Sequence, residues 1–256
     1  MIFLYDGTFE GFLSAVFDAF PVKEEIEIEK KFTWQSQLFS ETREVATSSE
    51  KAERVAAKIL KISGNRGFSA IVYIFLSESE KCETYCFHLI KMLVKNGIPA
   101  FSCFQDEKVA EAMLIRKKVA RELDKMLGLI RFSELSSGIF YAPCEPEFNI
   151  LPLLVPHFSE RLSGTRWMIH DLKRGTAVHH MSGKTEAVEF VDEMTSHLNM
   201  TTIFGKSENE EDFEKMWRNY FKIIGIESRT NPELQRKCMP QRYWKYLTEK
   251  QNTDRK

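Results

Sequence analysis

The 256 residues carry 36 Lys and Arg against 37 Asp and Glu, a net charge of -1, which excludes a polycation and confines any nucleic-acid contact to a local patch. The length suffices for a substantial core, and two lobes are expected. Five cysteines without a regular framework fit a reducing compartment, and Asp6 and Glu10 interrupt the apolar N-terminal run, so the expectation is a cytoplasmic chain with no secretory signal and no membrane span.

Met1 to Tyr5 reads as a short strand. Asp6-Gly7-Thr8 turns into a helix with Phe9, Phe12, Leu13, Val16, Phe17 and Phe20 on one face. A strand entering a helix through Gly can hold phosphate on free backbone N–H groups, but no G-x-x-x-x-G-K-[ST] is present, so Thr8 is read as the N-cap and Asp6 as a dipole partner. Glu24 to Lys31 alternates as a strand or an exposed arm. Ser49 is expected to cap a helix running to about Ile62, Gly64-Asn-Arg-Gly67 to break it, and Phe68 to Leu76 to be either helix or strand. A further helix from about Glu80 to Lys95 stops at Asn96-Gly97 with Pro99 behind. Cys82 and Cys86 lie one turn apart, but a C-x-x-x-C-x-x-C cluster motif would need a third Cys where Leu89 stands, so both read as small core residues. Residues 1–100 are thus expected to form a mostly helical N-terminal lobe.

A long helix from Asp106 to Gly128 follows, then a hairpin with strands at Ile130–Leu135 and Ile139–Ala142. Leu151 to Leu162 is a helix with Pro152 in its first turn. Arg166–Asp171, Thr176–Met181 and Thr185–Phe190 form a meander. Residues 101–250 are expected to form an antiparallel sheet packed by helices, 251–256 a disordered tail, and the class is α+β. Five of six His fall between His157 and His197, yet no H-E-x-x-H or similar spacing gives three convergent ligands, and His179 and His180 point to opposite faces of a strand. No metal, cofactor or catalytic residue is assigned.

The C-terminal stretch carries the clearest helix. Ser207 and Glu210 have capping-box spacing, and Phe213, Met216, Trp217, Tyr220, Phe221 and Ile224 make one apolar stripe that reads as core. Lys215, Arg218 and Lys222 make a basic row on another face, read as solvated, since the macrodipole explains much of it. Asn231-Pro232 and Met239-Pro240 start two short helices. From Arg229 onward there are eight Lys and Arg against three acids, whereas residues 1–150 carry 19 against 22. Interleaved Arg, Lys, Tyr and Trp suit a phosphate-contacting, base-stacking surface, or equally an aromatic corner whose cations reach out to water. Trp244 is expected to be buried and the arginines exposed.

The runs Trp217-Arg-Asn-Tyr-Phe221, Arg229-x-Asn231-Pro232-x-Leu234-Gln235 and Met239-Pro240-x-Arg242-Tyr243-Trp244-Lys245-Tyr246-Leu247 resemble a bacterial family of unknown function grouped as DNA metabolism proteins. Tyr5-Asp6-Gly7-Thr8-Phe9-Glu10-Gly11 and Trp167-x-Ile169-x-Asp171-x-x-Arg174-Gly175 are similar to it too. Members of that family are typically encoded beside a radical-SAM DNA-modification or repair protein, and some are fused to a uracil-DNA glycosylase-like domain. The resemblance implies DNA metabolism or repair, with DNA and a radical-SAM protein as partners. It assigns no catalytic residue, and Leu123-Asp124 stands where the family is expected to carry His after Glu122, which weighs against a metal or acid–base role there.

Two function classes follow. In the first, an accessory protein binds nucleic acid or its partner through Lys173, Arg174, Arg229, Arg236, Arg242 and Lys245. In the second, a hydrolase or glycosylase-like enzyme has a pocket between the lobes built from Asp6, Glu122, His157 or Asp171.

Overall fold

Four consecutive buried residues, Ile2–Tyr5, form β1, the middle strand of a three-stranded parallel sheet with β2 at Glu27–Lys30 and β3 at Thr42–Glu44. A parallel central strand is covered on both faces, so its sequence runs apolar without alternation. A computed structural model describes residues 1–35, 41–188, 190 and 193–251, apart from the side chain of Glu227. Residue 189 of the strand expected over Thr185–Phe190, and 252–256 of the expected tail, lie outside those residues. The chain divides into two compact units, Met1–Ala120 and Arg121–Lys256.

In the first unit α1 (Phe9–Ala19) crosses from β1 to β2, as parallel pairing requires. Thr8 caps it by accepting the Gly11 N–H at 2.9 Å, while Asp6 accepts hydrogen bonds from Thr8 and Thr47. The helical stretch α2 (Ser49–Phe75) is capped by Ser48 rather than Ser49, and Gly64, at φ +62° and ψ -171°, is non-helical and divides it into two helices, the break that Gly64-Asn-Arg-Gly67 predicts. The apolar run after Gly67 is therefore helix. Next come α3 (Cys82–Asn96), closed by Gly97 at φ +68°, and α4 (Glu107–Leu129), whose last turns belong to the second unit. Cys82 and Cys86 are buried core side chains, their thiols held well above the ordinary value by burial. Helices dominate this unit, but its core also holds the parallel sheet. Strand β3 left no mark in the sequence because all three of its residues are exposed.

In the second unit β4 (Ser133–Glu134), β5 (Phe140–Cys144), β6 (Trp167–Asp171), β7 (Thr176–Met181) and β8 (Lys184–Val188) form one sheet in chain order. The class is α+β, but the sheet is mixed rather than wholly antiparallel, because β5 and β6 pair parallel with Ala142 opposite Ile169. The physical reason is α5 (Leu151–Arg161), which fills the β5–β6 connection and carries the chain back to the same end of the sheet. Trp167, Ile169, Tyr141, Ala142 and Leu154 are fully buried at the centre of this unit. Short helices α6 (Glu193–Ser196) and α7 (Met200–Phe204) lead to α8 (Glu210–Ile223) and α9 (Pro232–Cys238), the last capped by Asn231, which accepts the Leu234 N–H at 2.9 Å. A 3-10 turn, Gln241–Tyr246, follows the Met239-Pro240 corner.

The main correction concerns α8. Its apolar stripe, expected as core, is largely exposed: Trp217 retains 38 %, Tyr220 54 % and Ile224 53 % of its accessible surface, and only Phe221 is partly covered. A hydrophobic period shows that residues share a face, but it does not supply a neighbour to cover that face. The capping box is not made either. Ser207 Oγ donates to Glu134 Oε2 at 3.0 Å and Glu210 Oε2 accepts the Glu134 N–H at 2.9 Å, so both side chains tie the helix start to β4.

Candidate nucleic-acid interface

The six basic residues singled out by the sequence fall into three settings. Lys173 and Arg174 lie in the β6–β7 turn, where the Arg174 guanidinium donates to Asp171 Oδ2 at 2.9 Å and to the carbonyls of Pro146 and Glu147. Lys173 Nζ donates to the Glu147 carbonyl as well. Together they clamp the turn to the loop before α5. Arg242 and Lys245 sit on the 3-10 turn Gln241–Tyr246 and are half exposed; Arg242 pairs with Glu147 at 2.9 Å and Glu122 at 3.3 Å, and Lys245 with Glu145 at 2.6 Å. Arg229, before α9, and Arg236, in its last turn, are exposed and have no ion-pair partner among the described residues. Lys222 and Lys237 are exposed beside them in sequence.

The acidic candidates serve the fold. Glu122 is buried on α4, where its carboxylate accepts the backbone N–H groups of Glu147 and Phe148, both at 2.8 Å, together with the Tyr243 hydroxyl. Burial and the Glu122 carboxylate push the Tyr243 phenol well above its ordinary value. Asp171 is fully buried, and burial raises its carboxyl even though Arg174 and the backbone N–H groups of Lys173 and Arg174 oppose the shift. Asp6 is held by Thr8 and Thr47, and these contacts lower its carboxyl despite partial burial. His170 is buried between the Tyr141 hydroxyl, 2.9 Å from Nδ1, and the Ser196 carbonyl, 2.7 Å from Nε2. His157 packs edge-on against Phe158. Among the described residues no group of three or more His, Cys, Asp or Glu is placed to hold a metal.

The structure brings together a surface that the sequence did not delimit. Trp217 on α8 donates its Nε1–H to Glu249 Oε2 at 2.9 Å, and the same carboxylate is gripped by Arg131, whose Nη2 and Nε lie 2.8 and 3.2 Å from its two oxygens. Arg131 also lies over the Trp217 ring, 5.3 Å from its centroid. Burial alone would raise the Glu249 carboxyl, but the hydrogen bonds from Arg131 and Trp217 outweigh it and hold the group below its ordinary value. Tyr220 tilts against Trp217 at 5.8 Å, so two exposed rings stand side by side on α8.

Beneath that part of α8 is a cavity of about 820 Å³. The rings of Phe132, Phe140, Phe158, Phe213 and Trp217 line it, with the guanidinium of Arg161 and the carboxylates of Glu134 and Glu210 among its polar groups. Its members come from α4, β4, β5, α5, α8 and the segments beside them, and of the residues just named the sequence marked Phe213 and Trp217 as core and Glu210 as a helix cap. Arg131 and Glu249 are separated by 118 residues in segments without periodicity, so no local signal could have paired them.

No curated protein matches the chain. A family model does, over residues 80–249, about two thirds of the chain and including every segment of the surface just described. The chain belongs to the family defined by that model, domain of unknown function DUF4130.

Proposed function

We propose that this protein is an accessory factor of DNA metabolism that binds single-stranded nucleic acid through the second unit. The observation that carries this reading is the exposure of Trp217 and Tyr220 on α8, in the stretch of chain that also presents Lys222, Arg229, Arg236 and Lys237 to solvent. Flat rings in water can stack on bases of any sequence, and exposed guanidinium and ammonium groups neutralise phosphates, which is the combination that single-strand binding uses. A duplex keeps its base faces stacked away from such rings, so the single strand is favoured.

The resemblance in the motifs around Arg229-x-Asn231-Pro232 and Met239-Pro240 supports DNA metabolism or repair and a radical-SAM protein as the companion. Free thiols at the described cysteines support a reducing, cytoplasmic setting. No described helix is long and apolar enough to cross a membrane. Of the residues considered for a hydrolase or glycosylase-like enzyme, Glu122 and Asp171 are engaged in the contacts described above, and no observation favours that reading.

The test is fluorescence anisotropy of the purified full chain with a labelled mixed-sequence single strand and its duplex, across a range of salt. Binding that favours the single strand and falls linearly on a log–log salt plot is expected. Absence of binding to either at low salt, with and without the radical-SAM companion, would remove the proposal.

A further inference from the structure

We infer that the cavity under α8 is a nucleobase pocket, so that the strand is held not only across the surface but by one base unstacked into the protein. This deepens the reading above and rests on it. Three observations converge. The cavity, about 820 Å³, falls within the roughly 300–1,000 Å³ that enclosing sites for small ligands occupy. Its rings, Phe132, Phe140, Phe158, Phe213 and Trp217, offer flat apolar area to the face of a base. Its polar groups match the edge of a base. The exposed Arg161 guanidinium can donate to a ring carbonyl, while Glu134 and Glu210, each engaged through Oε2, keep acceptor capacity for amino or ring N–H groups.

Trp217 both lines the cavity and adjoins Tyr220 on the exposed face of α8, so a strand stacked on Tyr220 has the pocket one ring away. A purely apolar ligand would leave the Arg161 guanidinium and the remaining carboxylate oxygens of Glu134 and Glu210 unmatched. A free phosphate or carboxylate would meet the carboxylates of Glu134, Glu210 and Glu214 in the same lining. A neutral, flat, edge-polar group is what this lining accepts, and in a single strand that group is the base.

Gly128 permits a direct test. It lines the cavity at the end of α4, and a Cβ built on it meets nothing within 4 Å, so a side chain added there enters open space. Gly128→Phe should plug the pocket and, by replacing a helical glycine, should not lower stability. Anisotropy titrations would use a mixed-sequence single strand and a backbone strand of the same length with abasic residues throughout. For Gly128→Phe the intact strand should bind about ten-fold more weakly than to wild type, in line with the loss of one stacked base, and the abasic strand should be unaffected. Gly128→Leu is a smaller plug read in the same way, should the Phe variant lose its native melting transition. Unchanged affinity of a folded plug variant for the intact strand overturns the pocket while the surface reading stands on wild-type binding. Equal losses on both strands overturn it too, because they mark a disturbance of the surface. A wild-type protein that binds neither strand removes surface and pocket together.

Discussion

The Trp217 indole N–H and the Arg131 guanidinium converge on a single carboxylate, Glu249, whose side chain has no exposed surface. This contact fastens α8, a helix whose apolar stripe stands in solvent. The helix is held by directional polar contacts at Glu210 and Trp217 instead of by a buried face. Trp217→Phe keeps a ring and removes the donor, so it should cost about 1.5–3 kcal/mol, the range for hydrogen bonds to charged groups. Urea denaturation would measure it, and a loss under about 0.5 kcal/mol would show that the indole N–H does not anchor the helix.

The same carboxylate gives a pH dependence. Its pKa in the folded protein is lowered from the ordinary 4.5, so the native state binds fewer protons there than the unfolded chain. The stabilisation is therefore fully present above the ordinary value and is lost as pH falls through the lowered one. Glu249→Gln should be less stable than wild type at neutral pH, and the difference should shrink below about pH 4.5. Thermal melts of both proteins between neutral and acidic pH decide it. A gap that stays constant with pH would mean that the charge of Glu249 contributes nothing.

Glu122 should behave as a structural hub. Removing its carboxylate leaves the N–H groups of Glu147 and Phe148 and the Tyr243 hydroxyl without their acceptor in a buried place. At about 1–3 kcal/mol for each unsatisfied group, Glu122→Ala should lose roughly 3 kcal/mol or more. A variant of wild-type stability would contradict this role.

The local elements were legible because each rests on a short-range rule. Thr8 and Asn231 cap as their side-chain chemistry dictates, Gly97 ends α3, and the Ser182-Gly183 turn between β7 and β8 places both residues at positive φ as a tight hairpin needs. What escaped the sequence depends on partners far along the chain. The parallel pairing of β5 with β6 is set by where α5 returns the strand, and the exposure of the α8 stripe by the absence of a covering neighbour. Ser207 and Glu210 show the same limit, since their spacing fits a capping box but Glu134 of β4 takes both. In the candidate site, Arg229, Arg236 and Arg242 stood out through local charge, and Trp217 through the helical period that marked it as core. Arg131, Glu249 and the cavity belong to three-dimensional geometry alone.

Tyr220 separates binding from folding. Its ring is more than half exposed, so Tyr220→Ala should change stability by no more than about 0.5 kcal/mol. If the ring stacks on a base, the same substitution should weaken single-strand binding by about 1–3 kcal/mol. Denaturation and anisotropy on one preparation give both numbers. Unaltered affinity would take Tyr220 out of the interface.

The arginines should divide by what already holds them. Arg229 and Arg236 are exposed, so removing either should weaken binding to every sequence alike and lower the single-strand salt slope by about 0.7, one phosphate's share of released counterions. Their stability should not change. Arg174 is the counter-case, because its guanidinium spans the buried Asp171 carboxylate and the carbonyls of Pro146 and Glu147. Arg174→Ala strands that carboxylate without its cation and should cost about 3 kcal/mol or more. Its salt slope should stay at the wild-type value, since a guanidinium committed to three internal acceptors neutralises no phosphate and releases no counterion. If Arg174→Ala lowered the slope while Arg229→Ala and Arg236→Ala left it unchanged, the strand would run along the β6–β7 turn and not along α8 and α9.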